Sequence, residues 1–275
     1  MPSSRQWPTN RRITVHDLQA ATDRGERWAM LTSYDVLTAG IFEQAGIRAI
    51  LVGDTAGHVI YGYPDTTAVT MDALVPLVQA VVRGTGTALV VADMPFGSYQ
   101  ASPQVALENA VRHIQVGGAQ AVKLEGGAAV IPQVELLVRS GIPVMGHLGL
   151  TPQSVNTLGG MQRVQGRGEA GEQLLQDALA LEAAGAFAVV LEAVPAELGS
   201  RVTEALHVPT VGIGAGPGCA AQIMVWQDLA GLTEGRAPRF VKRYAEVAGT
   251  LRSAVGAYVA EVASGAYPDA EHSYH

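Results

Sequence analysis

Six short apolar runs in this 275-residue sequence end in residues able to do chemistry. They are AILVGD closing at Asp54, ALVVAD at Asp93, AVKLE with Lys123 and Glu125, PVMGH at His147, FAVVLE at Glu192, and TVGIGAG running through Gly216. Asp54 and Asp93 close successive runs, so their carboxylates can converge on one hard cation. Magnesium suits such an open pair, because it takes a few carboxylate oxygens and keeps its other positions for water and substrate. The plainer role for an aspartate at a strand end is to cap the following helix or order the loop.

Lys123 and Glu125 are two residues apart and therefore share one face of a strand. The chain holds two lysines, Lys123 and Lys242, against sixteen arginines. A lysine inside an apolar run of so arginine-biased a chain offers a compact charge for a carboxylate, a developing oxyanion or a substrate acid group. The alternative is a buried Lys–Glu pair, which seldom adds net stability. His147 precedes Leu148-Gly149, where an imidazole either donates to an anionic ligand oxygen or serves as a hydrogen-bonded structural residue. A carboxylate at Glu192 that binds no metal would be partly desolvated, which suits it to act as a general base; otherwise it caps the segment after Pro195. GIGAGPG, Gly212 to Gly218, reads as a phosphate cradle, a tight turn, or a close approach to a flat substrate. The terminal EHSYH carries His272 and His275, but a disordered terminus is the default and no metal is assigned to it.

These residues need a scaffold that gathers strand ends. Apolar runs without alternation read as strands buried on both faces of a parallel sheet, whose polar ends collect at the carboxyl edge. The spacing predicts eight strands: Trp28–Asp35, Ala49–Gly53, Ala88–Asp93, Ala121–Glu125, Pro143–His147, Ala188–Glu192, Thr210–Gly214 and Ile223–Trp226. Helix-like segments alternate with them, among them Pro103–Val116 and Ala170–Ala184, the latter with an apolar stripe at Leu174, Leu175, Ala178, Leu179 and Leu181. The expected architecture is an α/β (β/α)8 TIM barrel of the phosphoenolpyruvate/pyruvate type. It forms a single domain over 1–275, with residues 1–12 as a flexible N-terminus and extra C-terminal helices over roughly 240–263. Such barrels keep their active sites at the carboxyl edge of the strands. Two long loops there, 54–70 and 147–169, read as lids or substrate walls.

Composition excludes several classes. A net charge of -7 leaves no basic stripe for nucleic acid. No run approaches the ~20 apolar residues of a membrane span, and the N-terminal MPSSRQWPTNRR has no signal-like apolar segment. With a single cysteine, Cys219, a reducing compartment fits, and the expected location is the cytoplasm. Charged residues are only 16% of the chain and hydrophobic ones 48%, a surface balance that predicts oligomer interfaces.

The ordered blocks MLTSYD, LVGDTAG, GYPDTTAVT, VVADMPFGSY, VKLEGG, GHLGLTPQSVN, VQGRG, ALALEAAGA, VVLEAVP and GIGAG resemble the ketopantoate hydroxymethyltransferase family. The resemblance runs from Ile13 to the terminal EHSYH. It implies a magnesium-dependent barrel that moves a one-carbon unit from 5,10-methylenetetrahydrofolate to 3-methyl-2-oxobutanoate through a stabilised enolate. The product would be 2-dehydropantoate, in pantothenate biosynthesis. It further implies Asp54 and Asp93 as metal ligands, with Glu125 assisting through water. Thr55, Lys123 and His147 join the two aspartates around the 2-oxo acid, and Glu192 accepts the proton. The implied partners are the 2-oxo acid, the folate co-substrate and further copies of the chain, as a decamer or related ring. The sequence departs from the family pattern at Thr55, where Ser is common, in ALVPLVQAVVRG (73–84) with Pro76, and at Gln227, where His is frequent.

Two rivals remain at this stage. A magnesium-dependent 2-oxo acid lyase or aldolase on the same barrel would use the same carboxylates with a different electrophile. A catalytically dead barrel kept as a binding subunit would leave Asp54, Asp93 and Glu192 apart.

Overall fold

The computed structural model describes residues 7–160, 164–235 and 237–274. Of the expected flexible N-terminus, residues 1–6 lie outside the described residues, whereas Arg12 is anchored, donating to the carbonyls of Ala88 at 2.6 Å and Thr85 at 2.7 Å. Residues 161–163 of the second long loop and the terminal His275 also lie outside the described residues.

Eight parallel strands close into a barrel in chain order: β1 Trp28–Thr32, β2 Ala49–Val52, β3 Leu89–Asp93, β4 Ala121–Glu125, β5 Val144–Gly149, β6 Ala188–Glu192, β7 Thr210–Ile213 and β8 Ala221–Met224. The helices are α1 Val15–Asp23, α2 Val36–Gln44, α3 Ala56–Val59, α4 Met71–Gly84, α5 Pro103–Gln115, α6 Ile131–Arg139, α7 Val155–Leu158, α8 Glu169–Ala183, α9 Ala196–Ala205, α10 Trp226–Leu229 and α11 Val247–Ser264. Residues 1–225 form one compact unit and residues 226–275 a second.

Side-chain alternation along the strands divides the apolar residues into two cores. Met30, Leu51, Val91, Ala121, Met145, Val190 and Val211 pack together inside the barrel. Val122, Leu124, Val144, Val189 and Leu191, one residue out of phase, pack against the helices with Leu137 and Leu181. Continuing the inner phase toward the carboxyl edge leads from Val91 to Asp93, from Ala121 to Lys123 and Glu125, from Met145 to His147, and from Val190 to Glu192. Inside the barrel, then, apolar residues fill the amino-terminal layers and ionisable ones the last.

Most boundaries fall within one or two residues of the expected ones, and three elements, β1, β8 and the segment from Phe240, differ for a local reason. β1 stops at Thr32 because Asp35 is the N-cap of α2, its carboxylate accepting from Leu37 N at 2.8 Å and Thr38 N at 2.9 Å. β8 begins at Ala221, which pairs with both β1 and β7, and ends before Trp226 opens α10. The segment from Phe240 is not helical: Tyr244 N donates to Leu229 O at 2.8 Å and Val247 N to Ala230 O at 2.9 Å, so α11 starts only at Val247. In α4 the helix continues through Pro76.

β7 passes to β8 through residues 214–220 without a helix, which explains GIGAGPG as a turn. Gly214 and Gly216 take φ of +65° and +79°, and a Cβ on Gly216 would lie 2.5 Å from Ala196 Cβ. Parallel strands ordinarily need a longer crossover. Here glycine lets the chain turn tightly and lie directly on α9.

Candidate active site

Strand register brings the ionisable side chains into contact. Asp93 lies opposite Lys123 in the β3–β4 ladder, and Lys123 Nζ stands 2.9 Å from Asp93 Oδ1. Glu125 lies opposite His147 in the β4–β5 ladder, with His147 Nδ1 3.3 Å from Glu125 Oε1. Lys123 Nζ is also 3.7 Å from Glu125 Oε1 and 3.3 Å from His147 Nδ1. His147 Nε2 reaches Glu192 Oε2 at 3.2 Å. The result is a continuous chain of charge from β3 to β6.

Asp54 joins from the turn after β2. Its backbone N–H donates to Asp93 Oδ2 at 3.1 Å, and its own Oδ2 accepts from the Gln153 amide at 2.9 Å. It does not cap α3, whose N-cap is Thr55. Asp54, Thr55, Asp93, Lys123, Glu125, His147 and Glu192 all line one cleft at the barrel mouth. The structure therefore brings all seven sequence-predicted residues together. All but Thr55 and Glu192 are buried, and the Glu192 side chain is 16% exposed.

Burial pushes the Asp54 carboxyl well above the usual carboxylate range, and neighbouring Asp93 and Glu125 push it the same way. Asp93 is also raised by burial, against the pull of Lys123. Burial alone would raise Glu125, but Lys123 and His147 outweigh it and hold it low. For Lys123, burial opposes the charge, yet the carboxylates of Asp93, Glu125 and Asp54 keep the ammonium firmly protonated. Burial and Lys123 disfavour the His147 imidazolium, but its bonds to Glu125 and Glu192 prevail and hold it at about 9. His147 is thus a cation between two carboxylates.

Four carboxyl groups face two cations here, an arrangement that a divalent ion would balance once Asp54 and Asp93 are ionised around it. Among the described residues no three His, Cys, Asp or Glu side chains stand close enough to enclose an ion by themselves. A hard ion that takes two protein oxygens and fills its shell from water and substrate needs no such group. Asp54 and Asp93 supply such oxygens. Both oxygens of Glu125 are engaged, Oε1 by Lys123 and His147 and Oε2 by Gln153 N at 3.0 Å, and so are both of Asp93, Oδ1 by Lys123 at 2.9 Å and Oδ2 by Asp54 N at 3.1 Å.

Sequence reasoning did not single out Gln153 or Tyr99. Gln153 sits in the short 3-10 segment Pro152–Ser154, and Tyr99 donates to its Oε1 at 2.7 Å. Both lie in blocks quoted for the family resemblance, LTPQSVN and MPFGSY, which is the signal that could have drawn attention to them. No spacing rule links a loop amide to a carboxylate 99 residues away.

The family model for ketopantoate hydroxymethyltransferase matches residues 12–270. The 3-methyl-2-oxobutanoate hydroxymethyltransferase of Frankia alni is 62% identical over 273 residues, covering 99% of this chain and 90% of that protein. That of Thermobifida fusca is 61% identical, covering 96% and 94%. That of Mycobacterium tuberculosis is 57% identical, covering 96% and 93%. Among solved structures, a phosphonopyruvate hydrolase in complex with oxalate and Mg++ superposes with a TM-score of 0.61 at 16% identity, covering 94% of this chain and 93% of that one. A 2,3-dimethylmalate lyase of the PEP mutase/isocitrate lyase superfamily gives 0.58 at 16% identity, covering 91% and 88%. At that identity the structural matches speak for the barrel alone.

Proposed function

The chain belongs to the ketopantoate hydroxymethyltransferase family, and from that premise we propose that it transfers a hydroxymethyl group from 5,10-methylenetetrahydrofolate to 3-methyl-2-oxobutanoate, giving 2-dehydropantoate for pantothenate biosynthesis. The observation that carries this reading is the single constellation of buried Asp54, Asp93, Lys123, Glu125 and His147 with partly exposed Glu192 at the mouth of the barrel.

Asp54 and Asp93 would hold a magnesium ion, which when bound supplies polarisation of the keto and carboxylate oxygens of the 2-oxo acid. The chain's own residues do the rest. Lys123 brings a permanent positive charge to the site, where negative charge grows on the keto oxygen as the C3 proton leaves. Glu192, part-way into the cleft, takes that proton, and the C3 carbon, now carrying the electron pair, bonds to the one-carbon unit as its two bonds to the folate nitrogens break; a water molecule supplies the hydroxyl oxygen, and the two nitrogens take up one proton of that water and the C3 proton passed on from Glu192. His147, bonded to both Glu125 and Glu192, fixes the direction of the Glu192 carboxylate. Thr55 offers its hydroxyl to the acid group.

The test is folate-dependent formation of 2-dehydropantoate with Mg2+, abolished by EDTA and restored by the metal. A 2-oxo acid lyase on the same barrel would form none.

We also propose a homo-oligomer in the cytoplasm. Leu251, Val255, Tyr258, Val259 and Val262 recur along α11 and are each about half exposed, and no residue of that helix is buried, which supports cover by a second copy. Among the described residues no helix is long and apolar enough to cross a membrane. Light scattering on the purified chain reads the mass directly, and a monomer would end this part of the reading.

A further inference from the structure

Gln153 comes from the loop after β5, is only 5% exposed, and touches the ends of three other strands. Its backbone N–H donates to Glu125 Oε2 at 3.0 Å, after β4. Its side-chain Nε2 donates to Asp54 Oδ2 at 2.9 Å, after β2, and to Met94 O at 2.9 Å, after β3. Its Oε1 accepts from Tyr99 Oη at 2.7 Å and from Gln100 Nε2 at 3.1 Å. A primary amide has two N–H donors and two acceptor lone pairs, and all four are used.

That saturation fixes which way the amide faces. Rotating it by half a turn would set its oxygen against the Met94 carbonyl, which cannot donate, and would take its N–H away from Asp54. The same rotation would set its NH2 against the NH2 of Gln100. Gln153 therefore presents N–H, and only N–H, to Asp54.

We infer that Gln153 is a positioning residue for the divalent ion: by holding Oδ2 of Asp54 it sets the carboxylate's orientation and leaves the other oxygen for the cleft. This role presupposes the metal reading above. Groups that orient a ligand in this way typically contribute 10- to 100-fold to metal affinity. A purely structural role, pinning the loop after β5, would be shared by Tyr99, which grips the opposite end of the same amide and makes no bond to Asp54.

The test uses Mn2+ alone as probe, with the free ion followed by electron paramagnetic resonance, on the full chain. Gln153→Met keeps the length and removes both donors; its Kd for Mn2+ should rise about 10- to 100-fold. Tyr99→Phe should stay within about threefold of the wild type, because the Gln153 N–H still reaches Asp54. Wild-type affinity in Gln153→Met, or an equal loss in Tyr99→Phe, overturns the inference. Should Gln153→Met fail to fold, as read by circular dichroism, Gln153→Asn replaces it. That variant keeps the amide but withdraws it from Asp54, so it should also lose affinity, and an unchanged Kd again overturns the role. A wild-type chain that binds no Mn2+ sinks the metal reading and this one with it, whereas binding by the wild type and by Gln153→Met alike sinks only the role of Gln153.

Discussion

The two edges of the barrel use charge in opposite ways. At the amino edge Glu43, Glu182 and Arg12 are tied to backbone. Glu43, near the end of α2, accepts from Gly86 N at 3.0 Å, Thr87 N at 2.6 Å and Ala88 N at 2.6 Å, and Glu182 accepts from His207 N at 2.6 Å and Val208 N at 2.9 Å. Arg12 closes the same corner from the other side by donating to carbonyls of 85 and 88. At the carboxyl edge Asp93, Lys123, Glu125, His147 and Glu192 are bonded mainly to one another. A carboxylate that satisfies strand-entry N–H groups serves the fold. Buried charges that face mainly other charges contribute little net stability, so their placement at one edge points to chemistry.

That contrast breaks most visibly at Glu192. Glu192→Gln should lower the rate of 2-dehydropantoate formation by about 10²- to 10⁴-fold, while Mn2+ binding and thermal stability stay near wild type. Turnover that survives the change would remove the proton-acceptor role and with it the functional half of the comparison. Next in size is Lys123→Met. It strips the ammonium from between Asp93 and Glu125, and breaking a buried pair in this way costs about 3–5 kcal/mol. Urea denaturation should show the loss, and adding Asp93→Asn should recover part of it. If the double variant is no more stable than the single one, the two charges are not coupled as their 2.9 Å separation requires. Glu43→Gln, at the opposite edge, is the smaller counterpart. A neutral amide oxygen still accepts but without charge assistance, so about 1 kcal/mol of stability should go with kcat unchanged. A fall in kcat beyond the fraction unfolded would contradict the division between edges.

Much of this was legible beforehand, and the exceptions have physical causes. The strands were readable because most are short runs dominated by apolar residues, and Lys123 with Glu125 could be placed inside the barrel by period two alone. Strand ends were less legible. The segment after Thr32 stays extended through Ser33 and Tyr34, but Asp35 turns the chain into a helix by accepting two N–H groups, a cap that competes with continuing the strand. The helix expected from Phe240 failed because the backbone of Tyr244 bonds back to Leu229, a preference set by contact and invisible in local propensity. At the site, residues on strands could be assigned from register and alternation, whereas Gln153 and Tyr99 act from loops. Their geometry depends on how the chain returns to the mouth after β3 and β5, which no periodicity encodes.

The finest test of the comparison is pH. Burial would raise the Glu43 carboxyl, but the N–H groups of Ala88, Gly86 and Thr87 outweigh it and leave it below the ordinary glutamate value of 4.5. A folded-state value below the unfolded one means that the unfolded chain binds protons first as acid is added. The stabilisation by Glu43 is therefore complete above 4.5 and disappears as the pH falls through the lower, folded value. Asp54, at the other edge, is displaced upward, so its ionisation opposes folding over the range above its unfolded value and cannot produce the same acid limb. The difference in unfolding free energy between wild type and Glu43→Gln, taken from urea curves at a series of pH values, should hold constant from neutrality downward and then shrink below 4.5. A gap that widens in acid would mean that Glu43 is held by desolvation and not by its three N–H groups, and the amino edge would then resemble the carboxyl edge after all.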